Sequence, residues 1–152
     1  MTVRLLIFVA FLSGIFSLDP VQAAEIKVLS AGALRPLLQD IAPDFEKNSG
    51  NRLTFDFATA AGVEERIASA EPIDVAILTK PQVDKLVRVA KLVGGSTANL
   101  ASKGPDLVFV GAAPPYSEQA LAAKAFIDFL AAPANKEVYK AKGFEPAERA
   151  AS

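Results

Sequence analysis

Three times in succession an apolar stretch runs into a short turn and then into apolar positions at helical spacing, and this repetition restricts the folds open to the chain. In the first unit Ile26, Val28 and Leu29 precede the small-residue turn Ser30-Ala31-Gly32-Ala33. Leu34, Leu37, Leu38, Ile41 and Phe45 then mark one helix face, which Gly50 can stop in the left-handed conformation. The second unit alternates Leu53, Phe55 and Phe57 with polar residues, turns through Thr59-Ala60-Ala61-Gly62, and continues with Val63, Ile67 and Ala68 at helical spacing. The third, over 73–78, is almost wholly apolar, as expected of a strand covered on both faces. Thr79 is its candidate helix cap, Pro81 lies in the first turn, and Val83, Leu86, Val87 and Ala90 form the apolar face. Three strand–helix units in series predict a mainly parallel sheet with helices on both faces, a three-layer α/β/α lobe.

The small side chains of the first two turns admit a second use. A helix start leaves several backbone N–H groups unpaired, and small residues let an anion reach them. Both turns fall at the carboxyl ends of strands, the edge at which open α/β sheets take ligands. They are therefore either plain connections or the two halves of an oxyanion site. Beyond the third unit, residues 94–105 read as a loop or short edge strand and 106–111 as a strand closed by Pro114-Pro115. Ser117 is placed to cap a helix through Leu130, a shorter helix runs from Pro133 to Lys140, and the chain is expected to fray from Phe144. One α/β domain over 24–146 and a tail over 147–152 follow, since 152 residues hold one core.

Composition removes several functions. Sixteen Lys and Arg against 17 Asp and Glu leave no basic field for nucleic acid. With neither Cys nor His, the chain lacks thiolates, imidazole bases and the commonest zinc ligands. Ser30 or Thr59 as a nucleophile would need Lys or a carboxylate as base, and neither Lys27 nor Lys80 is placed to serve, so no enzyme is expected. Asp56 and Asp74 are two carboxylates without a third ligand, so neither a metal nor another cofactor is expected. At the start of the chain Arg4 precedes the apolar run 5–16, and Val21-Gln22-Ala23 presents small residues to a signal peptidase. Residues 1–23 read as a cleavable signal peptide, which directs the chain to the periplasm.

The stretch EIKVLSAGALRPLLQDIAPDFEKNSGNRLTFDFATAAG, with EPIDVAILTK and AAKAFIDFLAAPANKEVYKAKGFEP after it, resembles the molybdate-type solute-binding proteins of bacterial ABC importers. The likeness runs from Glu25 to about Pro146. It implies the type II periplasmic-binding-protein fold, in which a tetrahedral oxyanion such as molybdate or tungstate lies between two lobes and is passed to an inner-membrane permease. By the same resemblance the ligand-binding residues are Ser30, Ala31, Gly32 and Ala33 with Thr59, Ala60, Ala61 and Gly62. Alanines stand here where hydroxyl residues are commoner in the family. A larger departure follows Ala101, where the family continues into a complete second lobe before the strand that Leu107, Val108 and Val110 resemble. Only a few residues intervene here, so a first lobe lacking most of its partner is expected. Binding should then be weak, because an anion held by one lobe stays in water. The alternative is an interaction lobe that binds no small ligand and docks on a permease or another chain, or self-associates through its open cleft.

Overall fold

The computed structural model describes residues 23–147. Of the expected signal peptide over 1–23 and the expected tail over 147–152, the residues up to 22 and from 148 lie outside the described residues. β1 (Glu25–Ala31) leads through a 3-10 turn, Gly32–Leu34, into α1 (Arg35–Ser49). β2 (Arg52–Ala58) and α2 (Ala60–Ala68) follow, then β3 (Val75–Thr79) and α3 (Lys80–Arg88). β4 (Ala98–Ser102), β5 (Val108–Ala112), α4 (Ala120–Leu130), α5 (Lys136–Ala141) and β6 (Glu145–Pro146) complete the order. All three expected strand–helix units form. Gly50 ends α1 with φ of 73°, a left-handed conformation that glycine adopts without steric cost.

The six strands make one sheet in the order β2-β1-β3-β5-β4-β6. Alternation along the strands divides the core between the two faces. Ile26 and Val28 of β1 with Val75 and Ile77 of β3 face α1, α4 and α5, where Leu38, Phe45, Phe126 and Tyr139 are buried. Leu29, Ala76 and Leu78 face α2 and α3, against Val63, Ile67, Val83 and Leu86. The expected three layers are therefore present.

Parallel pairing joins β1 to β2 and to β3, whereas β3 to β5, β5 to β4 and β4 to β6 are antiparallel. The parallel half belongs to the three repeated units. The other half is antiparallel because β4 and β5 are joined by only residues 103–107, too short for a crossover. Lys103 N–H donates to the Leu107 carbonyl at 2.8 Å to close this hairpin, and Gly104 has φ of 72°.

Two sequence expectations change. The chain does not fray at Phe144: that ring is buried edge-on against Phe109 at 5.9 Å, and β6 then pairs with β4. β4 is consequently an interior strand. Nor does Ser117 cap α4, which starts three residues later. Its hydroxyl oxygen accepts the Gln119 N–H at 3.2 Å and its hydrogen goes to Asp74 Oδ1 at 2.7 Å, while Asp74 Oδ2 accepts the Lys27 N–H at 2.9 Å. The buried Asp74 carboxylate thus ties the start of the parallel sheet to the entry of α4, because a buried charge is tolerable only when its oxygens are paired.

Candidate functional site

β1 and β2 run parallel and in register, with Ala31 opposite Ala58. Their carboxyl ends therefore carry the two small-residue turns side by side. β3 ends beside them, with Thr79 opposite Phe109 of β5. A shallow open cleft lies over this edge, and Ala31, Gly32, Ala33, Thr59 and Ala60 line it. The other three sequence candidates, Ser30, Ala61 and Gly62, are not among its lining residues.

Two of these, Ser30 and Gly62, have a local cause. Ser30 is the penultimate residue of β1, fully buried, and its hydroxyl donates to the Ala31 carbonyl at 3.2 Å. Thr59 stands at the N-cap of α2, where its hydroxyl oxygen accepts the Gly62 N–H at 3.1 Å. That N–H is thereby committed. A Cβ at Gly62 would sit 3.2 Å from Thr59 Oγ1, so glycine there keeps the cap unobstructed. Capping uses a lone pair of Thr59, and its own hydroxyl hydrogen stays free to donate. Ala60 and Ala61 are the first residues of α2, whose N–H groups helix geometry leaves without a partner.

Sequence reasoning missed three features of the site: a cation, two apolar walls and a bridging amide. Arg35, the first residue of α1, lines the cleft with its guanidinium carbon 4.6 Å from the Phe57 ring centroid, a cation–π arrangement. The available signal was its place: a cation at a helix N-terminus opposes the helix dipole. Phe57 and Phe109 form apolar walls; their alternation marked them as strand residues but not which end of the sheet they border. Gln82 is the third. It accepts from Thr79 Oγ1 at 2.7 Å and donates to the Ala60 carbonyl at 3.1 Å and Glu64 Oε2 at 3.3 Å, tying the starts of α2 and α3 together. Glu64 is bonded to Lys85 as well, and that ammonium, with Gln82, holds its carboxyl below the ordinary range. Thr79 occupies the expected cap position of α3 but makes no capping bond.

The remaining titratable candidates are engaged elsewhere. Arg66 bonds Glu71 and, at 2.5 Å, Asp56, and lowers the pKa of both carboxyls. Lys80 pairs with Asp84 at 3.0 Å. Lys27, Asp74 and Tyr116 line a different pocket, at the amino ends of β1 and β3, where burial pushes the Tyr116 phenol up. Among the described residues no group of three His, Cys, Asp or Glu could hold a metal ion.

A lobe of this topology, with its cleft at the carboxyl edge of the parallel half, has the type II periplasmic-binding-protein architecture. Residues 26–110 match the family model of bacterial extracellular solute-binding proteins, and the chain belongs to that family. Solved structures agree on the fold. A substrate-binding domain ascribed to a molybdenum ABC transporter of Clostridium difficile superposes with a TM-score of 0.74 at 12% identity, covering 83% of this chain and 100% of that one. The periplasmic molybdate-binding protein of Azotobacter vinelandii gives 0.73 at 12% identity, covering 81% and 100%. The tungstate-binding protein TupA of Desulfovibrio alaskensis G20 gives 0.66 at 12%, covering 84% and 100%. A curated relative, the aconitate isomerase of a Pseudomonas species, is 30% identical over 90 residues, 53% of this chain and 34% of that protein. The chain thus spans about a third of that relative's length. No helix among the described residues is long and apolar enough to cross a membrane.

Proposed function

We propose that the chain is the anion-binding lobe of a periplasmic solute-binding protein, exported by the signal sequence over 1–23 and serving an ABC permease of the inner membrane. The observation that carries this reading is the in-register end of β1 and β2, which sets two helix starts with small side chains side by side over one cleft. The N–H groups of Gly32, Ala33, Ala60 and Ala61 and the hydroxyl of Thr59 are the donors a small oxyanion would meet. Molybdate and tungstate are the first anions to test, since solute-binding neighbours of the same fold are named for them. Ser30 acts from behind, as a buried support of the turn, and Gly62 serves the Thr59 cap. Binding, not catalysis, is the activity: the chain has no His or Cys, and Lys27 and Lys80 are held away from Ser30.

The short 103–107 connection supports a shortened form that lacks most of the second lobe. An anion on one lobe keeps part of its hydration, and each donor that the missing lobe would have supplied is worth about 1.5–3 kcal/mol. Two lost donors already weaken binding by roughly two to four orders of magnitude. A second reading, a lobe that docks on a permease, on another chain or on a second copy, draws on the apolar walls of the cleft, Phe57, Leu107 and Phe109. Thermal melting of the purified protein with millimolar molybdate, tungstate, sulfate and phosphate separates the two. A bound anion raises the melting temperature by mass action, whereas no shift with any anion favours the docking lobe.

A further inference from the structure

Charge, donor supply and wall chemistry at the cleft together bear on the kind of anion it takes. Arg35 is the only charged side chain among the described residues that line it. It stands in the first turn of α1, where the helix dipole disfavours a cation and where no acidic residue offsets it. Among the described residues it takes part in no ion pair; Asp56, whose carboxyl its charge helps to lower, is bonded to Arg66. The Phe57 ring lies against the guanidinium, and Arg35 is otherwise exposed. A cation so placed is stabilised when an anion shares the site.

Hydroxyl donors, by contrast, are few. Ser30 is buried and bonded to the Ala31 carbonyl, and Thr79 gives its hydrogen to Gln82. Among the described residues that line the cleft, only Thr59 has an uncommitted hydroxyl hydrogen. A bare tetrahedral oxyanion presents four oxygens, and each one that the cleft strips of water requires a donor. The walls offer the reverse: Phe57, Leu107 and Phe109, with alanines at 31, 58 and 60. Such a surface gives nothing to an inorganic oxyanion and gains from covering hydrocarbon.

We propose that the anion of this cleft is an organic carboxylate with a short apolar body. The guanidinium fork of Arg35 takes the carboxylate in a planar, two-point arrangement, the nearby turn N–H groups complete its donors, and the body lies against Phe57 and Phe109. This rests on the anion-site reading above and narrows it to one chemical class.

The test is a binding series on the purified protein, by calorimetry and thermal melting, with phenylacetate, acetate, molybdate and sulfate. Phenylacetate binds at least tenfold more tightly than acetate, because only it covers the apolar walls, and more tightly than either inorganic anion. Arg35→Gln lowers phenylacetate affinity about tenfold or more, and Arg35→Lys recovers only part of it, because a point charge lacks the fork. Arg35 is exposed, so circular dichroism of both variants should match the parent. Binding of molybdate or sulfate without phenylacetate overturns the carboxylate proposal and leaves the anion site standing. Phenylacetate binding that ignores Arg35→Gln also overturns it. Failure of every anion to bind removes both readings.

Discussion

Thr59 serves the fold as a cap and, in the proposed function, the ligand as a donor. Its oxygen caps α2 through the Gly62 N–H, which leaves its hydrogen free to donate, so substitution tests both roles. Thr59→Val removes both and should cost about 1 kcal/mol of stability, the ordinary worth of a cap, along with weaker anion binding. Thr59→Ser keeps both. Melting and anion titration of the two variants check this; equal binding by Val and Ser would remove Thr59 from the donor set. Which hydroxyl is available was only half legible in the sequence. Thr59 followed by Gly62 is a cap signature, but nothing local shows that Ser30 lies inside a strand that continues one residue past it. Arg35 was legible as a cation at a helix start, yet its neighbour Phe57 comes from another strand, 22 residues away by number, so the cation–π contact is a tertiary fact.

Elements whose pattern is local were read correctly, and those that depend on distant partners were not. The three strand–helix units carry their own periodicity, turn residues and stops, and each forms close to where that periodicity places it. Ser117 had every local mark of an N-cap, but its oxygen accepts the Gln119 N–H at 3.2 Å, ahead of the helix, while its hydrogen goes to Asp74, 43 residues earlier. β6 likewise exists because Phe144 finds Phe109 across the sheet. The element scale also sets a pH dependence. Arg66 of α2 bonds Asp56 of β2 and Glu71 after the helix, and it lowers both carboxyl pKa values. A folded pKa below the unfolded one gives stability that is complete above the unfolded value, about 4, and is lost as pH falls through the folded value. The groups are partly exposed, so the effect is modest. Arg66→Gln should therefore lower the melting temperature at pH 7 and have little effect near pH 3; an equal loss at both pH values would contradict the ion-pair origin.

At the scale of the molecule, a single lobe carries two faces of core and one open edge. The parallel half, β2-β1-β3, supplies the proposed ligand edge, and the antiparallel half, β5-β4-β6, flanks it. The first of these was legible from the repeat alone. The second was not, because hairpin pairing over 103–107 follows from the shortness of a connection whose flanking strands carry little periodicity of their own. One lobe can hold an anion only from one side, so affinity should be weak while the position of the contact stays sharp. The decisive measurement is an amide-resolved NMR titration of the purified protein with molybdate and with phenylacetate. A site at the carboxyl edge predicts concentration-dependent shifts concentrated at the Gly32, Ala33, Ala60 and Ala61 amides and at the Arg35 side chain for whichever anion binds. Shifts absent with both anions, or gathered instead around Lys27, Asp74 and Tyr116 at the opposite edge, would contradict it.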